Sequence, residues 1–281
     1  MIQSRTFFYG MTLVVTTLFS SLLHAAEINK SGSVKAPTSR KEYCTGASDV
    51  NYFKSLVYSY ENRLSFLNSG GIGNGGVCWW HSMFTRNATY VAVYRPDLRR
   101  ADRQKAVEII ADIVDGRAVV EVPGYHNLYE FSTDYHREIQ SALNRWQIGE
   151  GIAFGWLRGI TGRTRVEPGT LKVMMDELYQ EVKRGHVTYQ KLQIPGIMAH
   201  AWLVVDMNKT LMGYDLEVID SNYRDIRTIH YQKGMTHLNE YNSVPYTSRN
   251  SSPYQAYAYA KSNYCRLGLK STDMRSQLAQ R

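Results

Sequence analysis

The sequence has no apolar run long enough to cross a membrane. The one candidate, residues 11–23, is uncharged but well short of the roughly 20 residues that a spanning helix needs. Arg5 precedes it, and Ala25 and Ala26 follow it. This order is typical of a secretory signal peptide. The sequence therefore predicts a cleaved signal at 1–26, an exported (secreted or periplasmic) protein and no membrane span after cleavage, with an uncleaved anchor as the alternative.

The sequence also lacks the patterns of nucleic-acid, phosphate and metal sites. The formal net charge is +8, but the basic residues are scattered and form no block like a nucleic-acid patch. The glycine-rich segment 70–76 is not followed by the Gly-Lys-Ser/Thr of a phosphate-binding loop. His81 makes a C-x-x-H pattern with Cys78, but no second pair of ligands has zinc spacing. We therefore expect no nucleic-acid partner, no metal site and no cofactor.

Cysteine is scarce: the chain has only Cys44, Cys78 and Cys265. Export permits disulfides, and any single bridge leaves one cysteine free. The glycine-rich context of Cys78 marks it as the free one, so a bridge between Cys44 and Cys265 is expected to join the two ends of the mature chain. The alternative is that both remain unpaired thiols.

The order of predicted elements indicates an α+β fold. The chain is 43% hydrophobic and 21% charged, as in globular proteins, and no linker or repeat divides residues 27–281, which we take as one domain. Apolar spacing predicts a helical first part and a strand-rich second part. The helices are expected at 52–67, 77–93, 102–115, 134–146 and 170–184, and the strands at 186–193, 199–206, 215–220 and 226–231. The tyrosine-rich stretch 241–264 is expected to wrap irregularly over the core, with stacking on sugars or peptides as the alternative.

The glycine-rich loop that ends at Gly76 leads directly to Cys78 at a predicted helix start. A helix N-terminus favours a thiolate over a thiol. Its first backbone N–H groups have no partner within the helix and can bind a developing oxyanion. Glycines at this place let a substrate approach closely. These features suit Cys78 to nucleophilic chemistry, although a cysteine beside Trp79 and Trp80 is also typical of a buried core thiol.

A nucleophilic thiolate needs an imidazole, and the imidazole needs a group that orients it. His200 begins an apolar strand, and Asp220 ends the next one. If the two strands form a hairpin, the end of the second lies beside the start of the first, which places Asp220 next to His200. Asn222 has the same parity and is the second candidate for this role. Alone, His200 fits a core histidine and Asp220 a turn residue, so their joint placement carries the prediction.

These motifs resemble the papain-like cysteine peptidase superfamily. The resemblance lies in GG-x-C-W at 75–79, H-A-W-L-V-V at 200–205 and V-I-D-S-N at 218–222, in the order Cys, His, Asp. It implies a papain-like α+β fold, in which a Cys-bearing helix of the N-terminal helical part packs on an antiparallel sheet that carries His and Asp. The H-A-W strand also resembles transglutaminase-like enzymes, and the GG-x-C element is similar to arylamine N-acetyltransferases. Ile72 stands where papain-type peptidases have the glutamine of the oxyanion hole; Asn74 or Asn68 is the candidate substitute.

The sequence thus predicts an exported cysteine enzyme that acts on an amide bond, most simply a peptidase. The catalytic residues would be Cys78, His200 and Asp220. The residues expected to bind the oxyanion or the substrate are Asn74, Gly76, Trp79 and Asn222. The substrate would be a protein or a peptide, cell-wall peptides included. The alternatives are a transglutaminase-like or other acyltransferase, and a non-catalytic module that binds protein or cell-wall polymer.

Overall fold

The computed structural model describes residues 28–152, 162–195, 199–246 and 252–279. The predicted signal peptide lies outside these residues. The chain has an α+β fold in which helices pack on both faces of an antiparallel sheet. The helices are α1 (Arg40–Gly46), α2 (Tyr52–Tyr58), α3 (Cys78–Val91), α4 (Arg103–Asp115), α5 (Leu128–Asp134), α6 (His136–Ile152), α7 (Pro168–Lys183), α8 (Ser252–Leu267) and α9 (Ser271–Ala279).

Seven strands form two sheets within the described residues. Their bounds are β1 (Ala92–Arg95), β2 (Val120–Pro123), β3 (Thr188–Gln193), β4 (Ala199–Lys209), β5 (Gly213–Asp220), β6 (Arg227–Gln232) and β7 (Val244–Tyr246). The larger sheet has the order β6-β5-β4-β3-β7 and is antiparallel throughout. The short strands β1 and β2 pair in parallel inside the helical part. That small sheet was not among the strands that the sequence predicted.

Successive side chains of β4 point to opposite faces of the sheet, and both faces are buried. Ala201, Leu203 and Val205 face the helical part and belong to its core. Trp202 and Val204 join a second core with α7. The helix α3 packs on β3 and β4 from the first of these faces. The sheet is therefore held between the helical part and α7, with the N-terminus of α3 close to the start of β4.

Local signals set several element boundaries as the sequence predicts. The helix α3 begins at Cys78. Asp102 caps α4 through a hydrogen bond from the Lys105 N–H, and Gly116 ends that helix in the left-handed conformation, as capping rules require. The strands β3 to β6 overlap the four stretches predicted for them, although β4 ends three residues later, β5 begins two residues earlier and β6 ends one residue later than predicted. These agreements confirm the α+β prediction at the level of elements.

Two predictions were wrong in extent or type. The helix expected at 52–67 ends at Tyr58, because the chain turns there and buries the polar side chains of Asn62 and Arg63. The tyrosine-rich stretch is not an irregular wrap, since most of its second half is the helix α8. Tyr257 and Tyr264 on this helix pack into the core of the helical part. Their spacing of seven residues places both rings on one helix face.

The predicted disulfide between Cys44 and Cys265 is present, with Cα atoms 5.7 Å apart. It ties α8 to α1 and leaves Cys78 as a free, buried cysteine. The bridge closes a loop of 221 residues, which corresponds to about 5 kcal/mol of stabilisation in the chain-entropy treatment.

None of the helices in the described ranges combines the length and the apolar character that a membrane crossing requires.

Candidate active site

The glycine-rich loop, residues 70–76, leads into the N-terminus of α3, and hydrogen bonds hold it in place. The Gly76 N–H donates to the Gly70 oxygen at 2.8 Å, and the Val77 N–H donates to Asn68 Oδ1 at 2.6 Å. Gly76 has a φ of 86°, and a Cβ at this position would lie 2.5 Å from Asn68 Nδ2. Only glycine fits there, since both the conformation and the space exclude a side chain. Gly76 is therefore a residue that shapes the loop before Cys78.

Cys78 is the first residue of α3, and no side chain caps this helix end. The first-turn N–H groups consequently remain available to an anion in front of the helix. The thiol lies 3.8 Å from the Ala199 carbonyl oxygen, at the beginning of β4. Cys78 is 8% exposed, so little of it is in contact with solvent.

The hairpin of β4 and β5 brings His200 and Asp220 together as predicted. The register pairs Trp202 with Asp220, so His200 lies diagonally opposite, two residues along the same face. His200 Nε2 and Asp220 Oδ1 are 2.8 Å apart. The ring also interacts electrostatically with the Cys78 side chain, and its Nδ1 is not used in the bond to Asp220. The three predicted catalytic side chains thus meet at one place.

The groups around His200 favour its protonated form despite its burial. Burial alone would lower the pKa of His200, but its interactions with Asp220 and Cys78 raise that pKa to about 9. Burial would likewise raise the pKa of Asp220, but the hydrogen bond and charge of His200 hold it below its usual value. Asp220 is 1% exposed, so these partners replace solvent water. The arrangement suits an imidazolium paired with the Asp220 carboxylate.

Tyr241 completes the surroundings of Asp220, and the sequence analysis missed it. Its hydroxyl donates to Asp220 Oδ2 at 2.7 Å, and its ring centroid is 4.8 Å from that of His200. Burial and the negative charge of Asp220 raise the pKa of Tyr241, so the phenol stays a donor. Tyr241 and Asn242 both have positive φ, 56° and 47°. Such backbone costs energy in non-glycine residues and is found where surroundings impose it.

Asn222 belongs to the hydrogen-bond network around Asp220 and not to the N-terminus of α3. Its backbone N–H donates to Asp220 Oδ1 at 2.9 Å. Its side-chain oxygen accepts a hydrogen bond from Asn68 Nδ2 at 2.9 Å, and its amide nitrogen lies 3.4 Å from the Tyr241 hydroxyl. Asn68 thereby links the glycine loop to the end of β5. The side-chain amides of Asn68 and Asn222 are both engaged, which places them in a supporting role around Asp220.

The remaining predicted residues have different environments. Trp79 is 4% exposed, and its indole Nε1 has no hydrogen-bond partner among the described residues. The side chain of Asn74 lies outside the described residues, so its predicted oxyanion role stays a prediction. His81 is buried, and one ring nitrogen lies 2.9 Å from the Phe66 oxygen. Burial lowers the pKa of His81 to about 4, so it is a neutral core histidine.

Comparisons with known proteins add no family assignment. No family model matches the chain, and no curated protein or solved structure was found to match it. In the described ranges, no three side chains of His, Cys, Asp or Glu are grouped so that they could hold a metal ion. Functional conclusions therefore rest on the geometry of Cys78, His200 and Asp220.

Proposed function

We propose that the protein is a cysteine-dependent acyl-transfer enzyme with a papain-like arrangement of Cys78, His200 and Asp220. The observation that carries the proposal is the position of His200. Its Nε2 is 2.8 Å from Asp220 Oδ1, and its ring interacts electrostatically with the Cys78 thiol at a helix N-terminus. A nucleophile, a base and a residue that orients the base, in this mutual geometry, are the elements of covalent acyl transfer.

In the proposed reaction the Cys78 thiolate attacks the carbonyl carbon of an amide. A C–S bond forms, and the carbonyl oxygen takes the negative charge in front of the first-turn N–H groups of α3. His200 then gives its proton to the leaving nitrogen as the C–N bond breaks. In a peptidase, water attacks the thioester, His200 accepts a proton from it, and the acid and free thiolate are released. Asp220 keeps the imidazole in the orientation that both steps require.

Hydrolysis of a peptide is the form of this activity that we propose first. Cys78 and His200 are 122 residues apart, close to the roughly 130–150 of papain-type peptidases. The disulfide between Cys44 and Cys265 supports an exported protein, because such bridges persist in oxidising compartments. A protein or cell-wall peptide outside the cytoplasm is then the substrate class.

The first test is the rate of Cys78 alkylation by iodoacetamide as a function of pH. We expect wild-type protein to react well below pH 8.5, the ordinary pKa of a cysteine being about that value, and His200→Ala to lose this reactivity. His230→Ala is the matched control, because His230 also pairs with an aspartate, 2.7 Å from Asp215, but its side chain is 68% exposed and lies on the edge strand β6. It should react like wild type.

The outcomes separate the candidate functions. A thiol that reacts only after unfolding would overturn the proposal and favour a non-catalytic binding module. If the thiol is reactive, fluorogenic peptides and a glutamine peptide with a labelled amine distinguish the two reactions. Peptide cleavage that is lost in Cys78→Ser supports the peptidase, whereas amine incorporation without cleavage supports a transglutaminase-like enzyme.

A further inference from the structure

A partly buried pair of opposite charges flanks the candidate nucleophile and takes no part in the triad. Lys191 lies on β3, paired in register with Ala201, the residue after His200. Its ammonium is 4.0 Å from the ring centroid of Trp79, the residue after Cys78. The lysine is therefore one strand away from His200 and directly above the first turn of α3.

Glu150 is the acidic member of the pair and lies on α6. Gln147, one turn earlier on the same face of α6, donates to the Gly76 oxygen at 3.2 Å. This hydrogen bond fixes that face of α6 against the loop before Cys78. Glu150 lies next to the indoles of Trp80 and Trp146 and in the electrostatic field of Lys191. The two charges thus lie beside neighbouring tryptophans of α3, Lys191 beside Trp79 and Glu150 beside Trp80, and interact electrostatically.

Neither charge forms a close ion pair, although the indoles of Trp80 and Trp146 stabilise the charged form of Glu150. No ion pair within 4 Å is formed by Glu150 or Lys191 with any side chain in the described ranges, and both side chains are partly buried. Burial lowers the pKa of Lys191 and raises the pKa of Glu150, and the attraction between them offsets this only in part. In addition, Trp79 Nε1 is a buried donor without a partner in the described residues. Partly buried charges and donors of this kind gain most from a ligand that pairs with them.

We propose that Lys191, Glu150 and Trp79 form a substrate subsite for a residue whose side chain carries both a carboxylate and an ammonium. This inference rests on the proposed function and names its substrate class. Lys191 binds the carboxylate, Glu150 binds the ammonium, and the tryptophans pack against the methylene chain. A purely anionic or purely cationic side chain satisfies one charge and is repelled by the other. An amino acid that is attached through its side chain, with its α-amino and α-carboxyl groups free, has the required chemistry.

The test uses four acetylated dipeptide chloromethyl ketones that alkylate Cys78. All have glycine at the reacting position, and the preceding residue is 2,6-diaminopimelic acid, glutamic acid, lysine or norleucine. We expect wild-type protein to react fastest with the zwitterionic probe, by at least about tenfold over norleucine, since a charge-assisted hydrogen bond is worth that factor or more. This ranking needs no variant and so does not depend on the folding of one.

Two isosteric variants assign the two charges. Lys191→Met should lose the preference for the zwitterionic probe over the lysine probe, and Glu150→Gln the preference over the glutamic acid probe. Lys209→Met is the matched control, because Lys209 also lies over an aromatic ring, 4.9 Å from the centroid of Tyr179, at the other end of β4. Its ranking should equal that of wild type.

The experiment distinguishes a wrong subsite from a wrong proposed function. If all four probes alkylate Cys78 at similar rates, or norleucine reacts fastest, the subsite is wrong while the nucleophile stands. If neither the probes nor iodoacetamide react with the folded protein, the proposed function fails, and the subsite fails with it. A preference for the zwitterionic probe that survives both variants would place its recognition elsewhere in the molecule.

Discussion

Removal of the Tyr241 hydroxyl isolates one hydrogen bond of the candidate site. Tyr241→Phe deletes the oxygen that donates to Asp220 Oδ2 at 2.7 Å and keeps the ring beside His200. Asp220 is 1% exposed, so solvent does not easily replace the lost donor. Hydrogen bonds to charged groups contribute about 1.5–3 kcal/mol. We therefore expect the free energy of unfolding at pH 7 to fall by about 2 kcal/mol.

The pH dependence of this loss follows from the charge on Asp220. Its pKa in the folded protein is below the ordinary value. A carboxyl group of that kind stabilises the fold above its unfolded pKa and loses this contribution as the pH falls through its folded pKa. The Tyr241 hydrogen bond supports the ionised form, so the destabilisation in Tyr241→Phe should be complete at pH 7 and smaller near pH 3. Loss of this donor makes the ionised form of Asp220 less stable, so Asp220 stabilises the His200 imidazolium less. The pKa of His200 should therefore fall below about 9.

Two measurements check this reasoning. Urea unfolding at pH 7 and pH 3 gives the stability difference, and an NMR titration of the His200 imidazole gives its pKa. Tyr259→Phe is the control, since it makes the same deletion at a tyrosine that is 62% exposed. A Tyr241→Phe protein that matches Tyr259→Phe in both stability and His200 titration would refute the role assigned to the hydroxyl.

Two further predictions concern stability. The pKa of His81 is about 4 in the fold because of burial and about 6.5 in the unfolded chain, so the unfolded state binds more protons between these values. Stability should fall by up to about 3 kcal/mol as the pH drops from 6.5 to 4, and unfolding measured over this range should show a shallower slope for His81→Gln; an equal slope would contradict the assignment. Replacement of Cys44 and Cys265 by serine should lower the free energy of unfolding by up to about 5 kcal/mol, the loop-entropy value for the 221-residue separation. Thiol titration of unfolded wild-type protein without reductant should find one thiol, and three would show that the bridge does not form.

The parts of the fold that could be predicted from the sequence are those that neighbouring residues determine. The start of α3 follows a glycine loop, Asp102 and Gly116 mark the two ends of α4, and alternation marks β3 to β6. The relation of His200 to Asp220 belongs to this class as well. A short turn after β4 forces antiparallel pairing with β5, and strand geometry then fixes which residues are opposite.

The parts that could not be predicted depend on contacts between distant segments. Tyr241 reaches Asp220 only because Leu238 and Ser243 close a tight turn through paired backbone hydrogen bonds. That turn holds Tyr241 at a φ of 56°, which its sequence does not signal, since tyrosine rarely adopts this conformation. Likewise, the interaction of Lys191 with Glu150 joins a strand to a helix about forty residues away, and no local spacing relates the two.

Asn68 connects the two parts of the candidate site that the sequence predicted, the loop before Cys78 and the end of β5. Its backbone N–H donates to the Ser221 oxygen at 2.8 Å, and its Nδ2 donates to Asn222 at 2.9 Å, which ties it to the segment just after Asp220. Its Oδ1 accepts the Val77 N–H, which ties it to the residue just before Cys78. An amide that takes no part in the proposed chemistry thus connects the segment before the thiol to the segment after the carboxylate. Motifs at 75–79 and 218–222 contain the proposed Cys78 and Asp220, but a residue outside both motifs connects the two segments.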